Sequence, residues 1–107
     1  MDSKRITLIL IVGVAAFLLP ATPGLGHSIK KSSTREFAEQ IALKKCQRDA
    51  RCYYWSVDEC FQNGPHRVNC VVTRYDQNQA PYCSYWHNER LPRNSNTIHW
   101  WISRNTC

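Results

Sequence analysis

From Ser33 onward the apolar positions of the chain recur first at helical spacing and then in alternation. Phe37, Ala38, Ile41, Ala42 and Cys46 fall on one stripe, while Glu36, Glu39, Gln40 and Lys44 fall on the other side. Ser33-Thr34-Arg35-Glu36 has the form of a capping box, in which the serine hydroxyl accepts from an amide of the first turn and Glu36 reaches back. Lys44, Lys45 and Arg48 put positive charge where the helix dipole is negative. The pattern predicts a helix from about Thr34 to about Arg48, whose stripe must dock on something. Beyond it the residues turn aromatic and β-branched. Cys52–Val57 reads as a strand, Asn63-Gly64-Pro65 as a turn, and Arg67–Tyr75 as a second strand forming a hairpin with the first. After a loop over 76–81, Tyr82–Trp86 reads as a short third strand. Asn88–Asn96 reads as a polar loop and Thr97–Ser103 as a fourth strand. The expected fold is α+β, with one N-terminal helix packed on a small antiparallel sheet of about four strands.

The first 26 residues follow another pattern. Lys4 and Arg5 precede an uncharged run, Ile6–Leu19, which Pro20 closes ahead of a small-residue stretch ending Gly24-Leu25-Gly26. This is the layout of a secretory leader, 1–26, cut after Gly26, where small side chains stand two positions apart. A bilayer span takes roughly 20 apolar residues and this run stops short of that, so no stable membrane span is expected. Residues 27–33 are polar and basic and read as a loose arm ahead of a single domain, 34–107. In that arm Lys30-Lys31 reads as solvated charge or as a dibasic processing site. Taking away Asp2, Lys4 and Arg5 lowers the formal net charge from +6 to +5. A positive field of that size favours anionic partners or surfaces without choosing among them.

All six cysteines, Cys46, Cys52, Cys60, Cys70, Cys83 and Cys107, follow the leader. An even set behind a secretory signal predicts three disulfides in an oxidising, extracellular setting. A chain this small buries little apolar surface, and three crosslinks would supply much of its stability. The spacings contain no paired Cys-x-x-Cys knuckle, so no metal site is expected. Gly-rich phosphate loops, EF-hand loops and a Gly-x-Ser-x-Gly elbow are also missing, so no cofactor is expected.

The stretch Cys46-Gln47-Arg48-Asp49-Ala50-Arg51-Cys52-Tyr53-Tyr54-Trp55-Ser56-Val57 resembles a PAN/apple domain. There a helix ends in a cysteine, and a short loop leads to a second cysteine that opens an aromatic strand. Asn69-Cys70-Val71-Val72 and the aromatic strand before Cys107 are similar to the family's later elements. The chain departs from the family where Ala42 stands in place of a cysteine one turn before Cys46. Cys60 and Cys83 have no matching position. The resemblance implies a Cys46–Cys52 bridge. The other four cysteines then allow three pairings, of which Cys60–Cys70 across the hairpin with Cys83–Cys107 is the one expected.

Side chains that could carry chemistry are of two kinds. His66, His87 and His99, beside Arg67, Glu89, Arg90 and Arg104, could be arranged as the acid–base groups of a small secreted ribonuclease, though nothing in their spacing pairs them. The aromatic load is the stronger signal. In a strand, neighbours point to opposite faces, so Trp100 and Trp101 cannot both face a core. Exposed aromatics beside arginines make a binding surface. Tyr54, Trp86 and Trp100 with Arg67, Arg74 and Arg90 are the expected binding residues. The expected partner is an extracellular protein or carbohydrate; nucleic acid fits that setting poorly. The chain therefore reads as a secreted recognition protein with an effector, signalling or defence role and no catalytic constellation. A cationic membrane-active protein and a small ribonuclease are the competing readings.

Overall fold

A computed structural model describes residues 28–107; the expected leader, 1–26, lies outside the described residues. Helix α1 (Lys31–Gln47) is followed by β1 (Tyr54–Gln62), a single 3-10 turn (Gly64–His66), β2 (Arg67–Tyr75), β3 (Pro81–Arg90) and β4 (His99–Ser103). The strands form one antiparallel sheet in the order β1-β2-β3-β4, so every neighbour in space is a neighbour in sequence. The architecture is α+β, one helix on a four-stranded antiparallel sheet.

The alternation in β2 builds the core. Val68, Cys70 and Val72 are fully buried on the face toward α1, where Ala38 and Ala42 of the helix meet them together with Val57, Tyr85 and Leu91. Small alanines in the helix stripe let its backbone come close to the sheet, and the β-branched valines fill the space between.

The helix begins three residues before the expected start, and Ile29 is the reason. Its side chain is buried in the core, its N–H donates to the Pro65 carbonyl at 2.8 Å, and its own carbonyl accepts from Gln62 Nε2 at 2.7 Å. The described part of the expected loose arm is therefore tied to the sheet. Lys30 occupies the N-cap position without a side-chain cap, and Ser33 lies inside the first turn rather than capping it. The dibasic pair Lys30-Lys31 sits at this anchored junction, between a core isoleucine and the first helical turn.

Two strands run further than their residue text suggested. β1 continues past Val57 to Gln62 because a bulge between Val57 and Glu59 lifts Asp58 out of register and then lets alternation resume. Arg35 of α1 closes that irregular edge, donating from Nη1 to the Val57 carbonyl at 2.6 Å and from Nη2 to the Asp58 carbonyl at 3.1 Å. β3 continues through Asn88 and Glu89 to Arg90, residues expected in a loop, because their polar side chains find partners within the sheet and beneath the helix.

Three disulfides staple these elements. Cys46–Cys52 joins the end of α1 to the segment entering β1, Cys60–Cys70 links directly opposed residues of β1 and β2, and Cys83–Cys107 ties β3 to the last residue. These are the three expected pairs, and no described cysteine is free. Three disulfides in so small a domain are typical of extracellular proteins.

Candidate functional site

The sheet has two faces of different character. Toward α1 it is covered; its other face carries side chains from all four strands with no helix over them among the described residues. Register fixes what stands there. Phe61, Asn69, Asn88 and Trp101 form one row across the four strands, and the next row holds Glu59, Val71, Trp86 and Ser103. Phe61 is 44% exposed and Trp101 41%, while Trp86 is half-buried and packs on Phe61 with ring centroids 5.8 Å apart. At the far end Tyr54 packs on Tyr75 at 5.7 Å.

Short polar side chains fill the space between the rings. Asn69 Nδ2 donates to Asn88 Oδ1 at 2.6 Å, and Asn88 Nδ2 donates to Ser103 Oγ at 2.9 Å and to the Trp101 carbonyl at 3.2 Å. Toward the β1 edge, the Thr73 and Ser56 hydroxyls donate to the two carboxylate oxygens of Asp58. Amide and hydroxyl groups that brace one another across strands hold the aromatic rings on a fixed platform.

The expected binding residues divide between the two faces. Tyr54, Trp86, Arg67 and Arg90 stand on the open face, the two arginines as Cα partners across β2 and β3. Trp100 does not. It lies under α1, stacked on His87 at 5.5 Å and edge-on to Phe37 at 5.4 Å, because β4 alternates in the sense that sends Trp101 outward. Arg74 is also withdrawn from any surface role. It is 8% exposed and pairs with Asp49 at 2.7 Å beside the helix end. Phe61 and Trp101, which the residue text did not nominate, take their places.

The Arg74 pair belongs to a small cluster beside the Cys46–Cys52 staple. The Tyr82 hydroxyl donates to Asp49, the Arg51 N–H adds a second bond, and Arg74 a third. These bonds, Tyr82 first among them, hold the Asp49 carboxyl below the usual range. Burial, helped by the nearby Asp49, pushes the Tyr82 phenol up.

The three histidines are not assembled into one site. His87 is fully buried under the helix, with Nε2 2.9 Å from Glu89 Oε2, while Glu89 Oε1 accepts from Thr34 at 2.9 Å. His99 is exposed on β4 beside Arg90, and His66 is half-buried in the 3-10 turn. The Thr34–Glu89–His87 chain ties α1 to β3 and meets no open surface. Among the described residues no three His, Cys, Asp or Glu side chains group as a metal would require. Comparison with protein-family models, with curated proteins and with solved structures finds no match to this chain.

Proposed function

We propose that this chain is a secreted recognition protein that contacts an extracellular protein or carbohydrate through the open face of its sheet. The observation that carries the reading is the half-exposed set Phe61, Trp86 and Trp101 on one side of the sheet, when the other side is covered by α1. Aromatic surface left in water is costly unless a partner covers it, and Trp, Tyr and Arg dominate contact energies where partners do. Secretion is supported by the leader pattern of residues 1–26 together with the three disulfides. The likeness of Cys46–Val57 to PAN/apple domains is retained as part of this proposal.

The competing readings draw less support. Among the described residues no helix is long and apolar enough to cross a membrane, and the basic residues are spread over α1, the sheet and the loops rather than gathered on one amphipathic helix. A ribonuclease would need two acid–base groups flanking one phosphate, whereas His87 and His99 point to opposite sides of the sheet. Arrays of extracellular proteins and glycans probed with the oxidised protein test the proposal. A partner whose binding disappears in Trp101→Ala supports it; a protein that ignores both arrays but makes anionic vesicles leak would refute it.

A further inference from the structure

At the turn end of the open face Arg67 and Arg90 stand directly opposite each other, and His99 is the next partner on β4. Both arginines are exposed, and neither makes an ion pair or a side-chain hydrogen bond among the described residues. Like charges paired across a sheet repel. The pair leaves two guanidinium groups at one corner of the face with no anionic partner among the described residues. Guanidinium forks suit a planar carboxylate or a sulfate, which they bind with two parallel bonds.

Two residues further along each strand come Phe61 and Trp101, with Asn69 and Asn88 between them. The row beyond adds Trp86 and Ser103. Phe61 and Trp86 pack together, while the amides of Asn69 and Asn88 stand between Phe61 and Trp101, so polar groups interrupt the apolar surface. Asn69 uses its Nδ2 on Asn88, which leaves its Oδ1 to accept from a ligand, and Ser103 accepts from Asn88 with its own proton still to donate. Alternating ring faces and hydroxyl-binding groups match a pyranose, which offers an apolar C–H face and a rim of hydroxyls. The acidic groups of this face, Asp58 and Glu59, both sit on β1, with Asp58 bound by Ser56 and Thr73, and β2, β3 and β4 bring no carboxylate to the face.

Resting on the recognition role above, we infer that this corner of the sheet binds a saccharide chain bearing carboxylate or sulfate groups. Its rings lie on Phe61, Trp86 and Trp101, and its acidic group is held by Arg67 and Arg90.

The test uses the disulfide-intact protein on three surfaces: a sulfated uronic-acid oligosaccharide, the same chain desulfated and carboxyl-reduced, and a panel of extracellular proteins. The acidic chain should bind at least about tenfold tighter than the neutral one. Trp101→Ala and the pair Arg67→Gln with Arg90→Gln should each weaken it by about tenfold or more, while Trp101→Phe, which keeps a ring, retains most of the affinity. The arginine variant should also reduce the salt dependence. Arg48→Gln, at the end of α1 and off this face, should leave binding unchanged. An equal loss from Arg48→Gln would mean diffuse charge attraction and would overturn the inference. Binding confined to a panel protein and lost in Trp101→Ala would overturn the saccharide assignment while sparing the recognition role. Silence on all three surfaces would overturn both.

Discussion

Trp100 stacks on His87 beneath α1, and Trp101, one residue on, is 41% exposed on the opposite face. Trp100→Ala should lower unfolding free energy by about 2–3 kcal/mol through the space left against Phe37 and His87. Trp101→Ala should change it by no more than about 0.5 kcal/mol. Urea titration of the two variants separates them, and equal losses would contradict the face assignment. The sequence pattern established that the two rings diverge, but its choice of Trp100 as the outward one was wrong. That choice depends on the pairing of Glu89 with Trp100 and Asn88 with Trp101, a long-range fact that no single strand contains. Titrating side chains add a second prediction. Asp49 has a folded pKa below 3.8, so its contribution is present above about pH 4 and is lost as acid protonates the folded carboxyl. Asp49→Asn should flatten the acid limb of the stability profile. Tyr85 is 1% exposed and its phenol is pushed up to about 12 by burial, against a smaller opposing pull from Arg74. The neutral phenol is the form the fold favours, so stability is intact below pH 10 and falls as pH rises from there toward 12. Phenolate absorbance should show Tyr85 ionising late, and Tyr85→Phe should remove its step and that alkaline loss while the raised Tyr82 phenol remains.

At the scale of elements, the connection between β1 and β2 depends on Gly64, whose φ is +73°. A Cβ there would meet no atom within 4 Å, so the cost of Gly64→Ala is confined to the left-handed backbone and should be about 1 kcal/mol. Thermal or urea unfolding checks it, and a loss several times larger would mean that the turn has rearranged. The Asn-Gly-Pro text announced this turn, as the regular alternation announced β2 to its end residues. The helix was legible for the same reason, its stripe being local. Its first residue was not, because the helix start is set by Ile29 inserting beneath the sheet rather than by a cap. β1 was cut short in the residue text at the bulge, and Phe61 was lost with it. β3 was cut short because Asn88 and Glu89 look like loop residues until Asn69, Ser103 and Thr34 are there to satisfy them. Sequence pattern thus located the sheet but supplied only part of the candidate surface, the outer aromatic pair Phe61 and Trp101 being the main omission.

For the whole molecule, the three staples close segments of increasing length, with sequence separations of 6, 10 and 24. If restriction of the unfolded chain dominates, removing Cys46–Cys52 by paired serines should cost about 2 kcal/mol and removing Cys83–Cys107 about 3 kcal/mol. Urea midpoints of the two double variants test that order. The pairing is also strictly consecutive: first with second, third with fourth, fifth with sixth. If the chain is oxidised as it emerges during export, each thiol can meet its native mate before the following couple appears, which narrows the combinations that six thiols must search. Oxidation on that route would close like a zipper, in reading order, and would leave little for an isomerase to correct.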